Sequence, residues 1–232
     1  MDMKITWMGH GGFRIETGGE VLLIDPWIDG NPMMDGKDTD AAIEGATQIL
    51  LTHGHFDHTD DIVDVSNRTG APVHAIFELG HALQAMGAKE GHAFNMGGSV
   101  SFGDVKVTMV PASHSSSMKV DGVATYMGQE AGFVIESGGT VLYLSGDTCP
   151  MADMAWIAEY FKPTIGIISA GGYYTMDMEM AAYAAKKYFD FKTVIPCHYR
   201  TFPALEQSAE KLAAGLPGVT VIEPQVLEPI EV

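Results

Sequence analysis

One short segment of the chain brings three imidazoles and a carboxylate close together. In "LLTHGHFDHTDD", His53, His55, Asp57 and His58 follow directly after the apolar run 48–51. On extended backbone His53 and His55 point the same way, and Asp57 and His58 lie on the turn beyond them. Imidazole nitrogen suits zinc, and carboxylate oxygen suits zinc or harder ions. The segment therefore predicts a metal site, and its four groups serve two neighbouring ions better than one.

Three further candidate ligands each follow a predicted apolar strand. They are His114 in "VPASHSSS", Asp147 in "LYLSGDT" and His198 in "VIPCHY". Binding groups gather where strands end, so we expect these side chains at the rim of a sheet beside the first segment. We interpret the remaining histidines outside the N-terminal loop, His74, His81 and His92, as structural.

The rest of the pattern describes the elements that hold these groups in place. Each half begins with short strands around a Gly-Gly turn, at 18–19 and 138–139, and continues with alternating strands and helices. Helices are predicted over 61–68, with Thr59 or Asp60 as cap, and over 79–86, 151–160, 178–189 and 205–214. Two sheets that bury their inner faces together need helices outside both. We expect one α/β domain over residues 1–232, a four-layer helix–sheet–sheet–helix sandwich.

Composition restricts the partners. The chain has 232 residues and a formal net charge of −17, which disfavours nucleic acid and anionic membranes as partners. Two cysteines are too few for a disulfide framework, and neither a signal peptide nor an apolar run long enough for a membrane span is found. We therefore expect a cytoplasmic protein that acts on a small molecule, with a homo-oligomer as its candidate assembly.

The motif "THGHFDH" resembles the HxHxDH signature of the metallo-β-lactamase superfamily. The segments "GHGGFRIE", "LLIDPWIDGNP", "PASHSSS", "LSGDT" and "IPCHYRTFP" are similar to a group of small metal-dependent hydrolases related to L-ascorbate-6-phosphate lactonase and N-acylphosphatidylethanolamine phospholipase D. The resemblance covers essentially the whole chain and implies the αββα fold of that superfamily. It also implies one ion on His53, His55 and His114, a second on Asp57, His58 and His198, and Asp147 between the two.

Such a pair of ions predicts hydrolysis. A divalent ion lowers the pKa of bound water to roughly 7, so a metal-bound hydroxide exists at neutral pH, and a second ion polarises the scissile group. Asp57 is expected to orient that hydroxide. The expected substrates are small esters, lactones, amides or phosphodiesters, and the expected ions are Zn²⁺, with Mn²⁺ or Fe²⁺ as alternatives.

Residues near the motif receive secondary assignments. His10, in the Gly-flanked loop "MGHGGF", is a candidate catalytic residue, as proton donor or oxyanion partner. Asp25 either accepts a hydrogen bond from a ligand histidine or shapes the Asp-Pro turn. Arg14, Lys119 and Arg200 are candidate contacts for an anionic substrate, although solvated surface positions are favoured for all three.

Three alternatives remain open from the sequence. The same fold carries iron-dependent oxidoreductases, but their ligand sets differ from the complete set found here. Phosphodiesterases and nucleases of the superfamily share the ligands, but the nucleases carry added domains or arms for which this chain has no evident segment. A protein that binds metal only for folding is disfavoured because structural zinc sites are usually rich in cysteine.

Overall fold

The computed structural model describes residues 3–232 and contains two seven-stranded sheets that share one hydrophobic core. The four-layer αββα architecture predicted from the sequence is confirmed. In the order in which the strands hydrogen-bond, the first sheet consists of β16 (Pro229–Glu231), β1 (Lys4–Trp7), β2 (Phe13–Thr17), β3 (Glu20–Ile24), β4 (Gln48–Leu50), β5 (Val73–Ile76) and β6 (Glu90–Phe94).

The second sheet repeats the plan of the first. Its strands in spatial order are β15 (Thr220–Val221), β14 (Thr193–Cys197), β13 (Ile165–Ser169), β12 (Thr140–Leu144), β11 (Ala131–Ser137), β8 (Val105–Pro111) and β7 (Ser99–Phe102). Each sheet is antiparallel at one side and parallel at the other. A separate hairpin, β9 (Ser117–Val120) with β10 (Val123–Tyr126), leaves the second sheet directly after the His114 segment.

Both predicted Gly-Gly turns are confirmed. The registers Thr17↔Glu20 and Ser137↔Thr140 leave two-residue loops at 18–19 and 138–139. All four glycines have positive φ, between 58° and 87°, as a two-residue hairpin turn of this kind requires. These turns fix the register of the antiparallel half of each sheet.

The helices are α1 (Thr39–Ile43), α2 (Phe56–Thr59), α3 (Ile62–Thr69), α4 (Phe77–Ala85), α5 (Met154–Phe161), α6 (Met178–Tyr188) and α7 (Glu210–Gly215). Strands β5 and β13 are buried along their whole length, which requires cover on both faces. Within residues 3–232, every helix is too short or too polar to cross a bilayer.

Two sequence predictions about these helices were wrong in detail. The predicted caps of α3 were wrong, because Thr59 ends α2 and Asp60 is its C-cap. Asp61 lies at the N-cap of α3 instead, but its carboxylate accepts the N–H groups of Ile28 and Asp29 and caps no helical N–H. The helix predicted over 205–214 begins only at Glu210, because the N–H of Glu206 donates to Gly171 O and its carbonyl accepts from Arg200 N. Helices α1 and α2, strand β6 and the β9–β10 hairpin were not predicted.

His74 is a structural histidine inside the first sheet. Its Nε2 donates to Gln48 Oε1 at 2.8 Å, and its Nδ1 accepts the N–H of His92 at 2.8 Å. Burial, reinforced by His92, lowers the pKa of the imidazole from 6.5 to about 4. Between pH 6.5 and about pH 4, His74 is therefore protonated in the unfolded chain and neutral in the folded chain.

We therefore expect His74 to make the fold sensitive to acid. By linkage, this group costs about 2 kcal/mol of unfolding free energy when the pH falls from 7 to 5. In His74→Phe, urea unfolding of the chelator-treated protein should show a drop from pH 7 to pH 5 that is smaller by about this amount. His81→Phe, at an exposed position on α4, is the control and should keep the full drop. An equal pH dependence in His74→Phe and wild type would contradict the assignment.

Candidate metal centre

The seven side chains predicted as ligands lie together at one edge of the two sheets, and we call them the metal cluster. Asp147 is at its middle. Its Oδ2 lies 3.0 Å from His198 Nε2, 3.6 Å from both His58 Nε2 and His114 Nε2, and 4.0 Å from His53 Nε2. One carboxylate oxygen thus reaches imidazoles from four separate positions in the chain.

The remaining contacts divide the metal cluster into two groups around Asp147. In the first, the ligand atoms of His53, His55 and His114 lie within 4.8 Å of one another, and His53 Nε2 is 3.0 Å from His55 Nδ1.

In the second group, Asp57 Oδ2 lies 3.5 Å from His198 Nε2 and 3.8 Å from His58 Nε2. His10 joins this second group, with atoms inside the same 4.8 Å limit.

The strand directions explain why these residues meet. Strands β8 and β12 both run antiparallel to β11, and β13 and β14 run parallel to β12. His114, Asp147 and His198 therefore follow strands whose carboxyl ends share one edge of the second sheet. In the first sheet β1, β3 and β4 point the same way, so His10 and the His53 segment also share one edge.

Two backbone hydrogen bonds join these edges. The N–H of Ala131 donates to Thr52 O at 2.8 Å, and the N–H of His198 donates to His10 O at 2.8 Å. Each bond runs from one sheet to the other, directly beside a member of the metal cluster. The two halves of the cluster are therefore held at a fixed separation by main-chain atoms.

Asp25 organises histidines of both groups through a buried chain of hydrogen bonds. Its Oδ2 accepts from His58 Nδ1 at 2.8 Å and from the Thr52 hydroxyl at 2.6 Å. That hydroxyl in turn lies 2.9 Å from His53 Nδ1 and accepts its proton. Both imidazoles are thereby held as the Nδ1–H tautomer, which leaves the Nε2 lone pairs free to bind a cation. Both roles considered for Asp25 are present: it accepts a hydrogen bond from a candidate ligand histidine, and its carbonyl accepts the N–H of Trp27 at 2.8 Å in the Asp-Pro turn.

Three residues of this region have left-handed backbone without being glycine. They are His10, Asp25 and His198, with φ values of 51°, 43° and 59°. Each such conformation costs of order 1 kcal/mol or more and persists only where the surroundings impose it. Backbone hydrogen bonds hold these positions, from Asp25 N to Leu50 O and from His198 N to His10 O. The three side chains contact Asp57, His58 and Asp147 of the metal cluster.

The buried nitrogen atoms fit a metal. His58 Nε2 and both ring nitrogens of His198 are buried and have no hydrogen-bond partner among the described residues. The short approach of His198 Nε2 to Asp147 lacks hydrogen-bond geometry. Buried polar atoms are nearly always satisfied, so such orphans in a set of imidazoles and carboxylates are what a cation site requires.

The charges of the metal cluster also suit a cation. Burial alone raises the pKa of Asp147, but His198 and His58 outweigh it and hold that pKa well below its ordinary value. The same competition, between burial and the neighbouring His58, His10 and His198, lowers the pKa of Asp57. Burial lowers the pKa of His53 well below its ordinary value.

Burial would lower the pKa of His58 and of His198, but Asp25 and Asp147 raise that of His58 well above its ordinary value, and Asp147 and Asp57 raise that of His198 to about 9. Without a cation, two ionised carboxylates thus face two protonated imidazoles, and a bound cation would take the place of those protons.

His10 lies beneath the second group and has both ring nitrogens engaged. Nε2 lies 2.8 Å from Asp57 Oδ2, and Nδ1 lies 2.8 Å from Thr201 Oγ1. The side chain is buried, and burial together with His198 lowers its pKa to about 4. A neutral His10 that donates from Nε2 to Asp57 and accepts the Thr201 hydroxyl proton at Nδ1 satisfies all of these contacts.

Other neighbours of the cluster were not evident from the sequence. Ser115 Oγ lies 3.2 Å from His55 Nε2, and Glu130 Oε1 accepts the N–H of His114 at 2.7 Å. Hydroxyls and carboxylates of this kind are common on any surface, so only position distinguishes them. Thr52 is the exception, because its position next to His53 in the motif could have identified it as a neighbour of the cluster.

Comparison with known proteins agrees with this architecture. The family described as "Beta-lactamase superfamily domain" matches residues 21–222. A UPF0173 metal-dependent hydrolase of Cereibacter sphaeroides is 57% identical over 230 residues, which cover 99% of this chain and 100% of the relative. One from Paracoccus denitrificans is 57% identical over 228 residues, 98% of this chain and 99% of the relative. The structure of Igni18, a metallo hydrolase of Ignicoccus hospitalis, superposes with a TM-score of 0.85 at 29% identity and covers 100% of this chain and 99% of that one.

The hydrogen-bond chain through Asp25 predicts the effect of one substitution. In Asp25→Asn a single acceptor oxygen remains for three donors, and the amide nitrogen, in one rotamer or the other, faces either the Thr52 N–H or the His58 Nδ1–H. We expect the affinity for Zn²⁺, measured by chelator competition, to fall by about 10–100-fold. Asp64→Asn, on the exposed face of α3, is the matched control. Unchanged affinity in folded Asp25→Asn would show that the two histidines do not depend on this carboxylate.

Proposed function

The chain belongs to the metallo-β-lactamase superfamily and is a metal-dependent hydrolase, and on that premise we propose that it is a binuclear enzyme that hydrolyses an ester, lactone, amide or phosphodiester bond of a small substrate. The observation that carries the proposal is the position of Asp147 Oδ2, within 4.0 Å of imidazoles from both groups of the metal cluster. A carboxylate so placed serves two cations at once.

In this proposal His53, His55 and His114 hold one ion, and Asp57, His58 and His198 hold the other, with Asp147 shared. The seven residues are five imidazoles and two carboxylates whose pKa values their neighbours lower. Zn²⁺ is the favoured metal because imidazole nitrogen and carboxylate oxygen are its usual ligands, and Mn²⁺ and Fe²⁺ are the alternatives. Because the ligands come from both sheets, we also propose that the 232 residues act as one domain.

When bound, two divalent ions supply a water molecule that loses its proton near neutral pH and a Lewis acid for the carbonyl or phosphoryl oxygen. The chain supplies orientation. Asp57 is placed to accept a hydrogen bond from the attacking water. His10 acts on Asp57 rather than on the substrate, because its Nε2 is committed to that carboxylate and its ring is buried.

His10 and Thr201 therefore form a hydrogen-bonded positioning relay behind Asp57. The Thr201 hydroxyl fixes the His10 tautomer, and His10, which donates from Nε2, fixes the rotamer of Asp57 and stabilises its ionised form. The role of direct proton donor to the leaving group, considered for His10 from the sequence, is thereby replaced in our proposal by a positioning role.

The ligand assignment is tested with Asp147→Asn and His114→Ala. Wild type should bind about two equivalents of Zn²⁺, measured by mass spectrometry of the dialysed protein, and each variant should bind fewer and lose activity by at least about 10²-fold. Asp104→Asn and His81→Ala, at exposed positions, are the controls. Full turnover in either ligand variant would refute the assignment, and a single iron per chain in active wild type would favour the oxidoreductase alternative.

The relay is tested with Thr201→Val and Thr201→Ser. Valine keeps the size of the side chain and removes the hydroxyl that fixes the His10 tautomer, so kcat should fall by about 10-fold or more while bound Zn²⁺ stays at the wild-type level. Serine keeps the hydroxyl and should restore most of kcat. Equal kcat for valine and serine at equal metal content would rule out the relay.

A further inference from the structure

Three aromatic side chains lie beside the metal cluster, and we call them the aromatic wall. Phe56 packs edge-to-face on Trp27 at a ring-centroid distance of 5.8 Å, and Trp27 lies 6.2 Å from Phe202. Phe56 is the residue between His55 and Asp57 in the ligand motif. Trp27 and Phe202 both contact the His10 ring, at 5.4 Å and 5.7 Å. The wall is thus continuous with the second group of the metal cluster.

The exposure of Phe56 has no structural explanation. Its side chain is 57% exposed, although Trp27 behind it is only 4% exposed. It stands at the start of the four-residue helix α2, where a polar residue serves the backbone as well or better. Large apolar groups left exposed next to a catalytic centre are typical of ligand-binding surfaces.

Among the described residues, the metal cluster has no paired lysine or arginine that would bind a second anionic group, such as a remote phosphate, on a substrate. Within residues 3–232 no lysine or arginine forms an ion pair with a member of the metal cluster. Arg14 donates to Glu16 and to the carbonyls of Ala42 and Glu44.

The two basic residues nearer the cluster in the chain do not fill this gap. Arg200 lies 3.7 Å from Glu223 and over the Tyr199 ring. Lys119 lies on the exposed β9–β10 hairpin. The charged group found beside the cluster is instead an acid, Glu130, whose carboxylate accepts the N–H of His114.

We propose that the substrate carries an uncharged aromatic or aliphatic group that packs against the aromatic wall while its ester or lactone carbonyl lies at the metal cluster. This proposal rests on the hydrolase function above. Of the bond types left open there, it selects carboxylic esters and lactones with apolar side groups. Sugar phosphates and other substrates with a remote phosphate are disfavoured, since the dications would satisfy only the reacting group and, within residues 3–232, no lysine or arginine is paired with the metal cluster.

The first test compares substrates on Zn²⁺-loaded wild type. From p-nitrophenyl acetate to p-nitrophenyl hexanoate we expect kcat/KM to rise by at least about tenfold, because added methylenes gain burial against the wall. δ-Gluconolactone should be hydrolysed at least as well as 6-phosphogluconolactone. A flat chain-length series, or a preference for the phosphorylated lactone, would overturn the proposal.

The second test uses Phe56→Ser with Phe77→Ser as its matched control. Phe77 is 50% exposed at the start of α4 and lies outside the metal cluster and the aromatic wall. Binding of 4-phenyl-1-butanol, an uncharged probe, to the Zn²⁺-loaded protein is followed by saturation-transfer NMR. The phenyl protons should receive saturation from wild type and Phe77→Ser and lose most of it with Phe56→Ser. Equal saturation with all three proteins, or none with wild type, would overturn the proposal.

The two tests separate this proposal from the one on which it rests. If metallated wild type hydrolyses no ester, lactone, amide or phosphodiester, the hydrolytic function fails, whatever the NMR result. If it hydrolyses esters or lactones without regard to chain length, or if phenylbutanol binding does not depend on Phe56, the function stands and the apolar substrate class fails.

Discussion

Two main-chain hydrogen bonds between the sheets, from Ala131 N to Thr52 O and from His198 N to His10 O, are the constraint on which the centre depends. Neither sheet carries a full set of ligands. The first provides the His53–His58 segment, and the second provides the other three residues of the metal cluster. Bonds between rigid strand ends hold these sets in register more firmly than long side chains on loops would, because main-chain atoms have no rotamers to lose.

Such a centre is unfavourable for folding by itself. Buried carboxylates and imidazoles lose their hydration, and three non-glycine residues adopt left-handed backbone. Asp25 offsets part of this cost, since three donors converge on it and it joins His53 and His58 through Thr52. His58 Nε2 and His198 Nε2 remain unpartnered, and their satisfaction by cations would couple metal binding to stability.

Two kinds of surface adjoin at the centre, a charged one and an apolar one. Charge is concentrated at the metal cluster, where carboxylates and imidazoles converge, while the adjoining wall of Trp27, Phe56 and Phe202 is apolar. The chain as a whole carries a net charge of −17 and places its arginines in ion pairs away from the cluster. In our proposal the metal cluster carries the reaction and the aromatic wall carries substrate recognition. Substitutions in the wall would then change the substrate range while the residues of the metal cluster stay the same.

The sequence by itself determined the fold class, the two Gly-Gly hairpins and the identity of the clustered residues, because strand periodicity and ligand chemistry are both local properties. It failed for the α7 start, where Glu206 pairs with Gly171, and for the α3 cap, where Asp61 binds a distant loop. Only the tertiary structure decided that His10 contacts Asp57 and Thr201, and that Phe56 stands on an aromatic wall. Those contacts join positions up to 191 residues apart, and no pattern within one strand or helix encodes which distant neighbours the packing of two sheets will bring together.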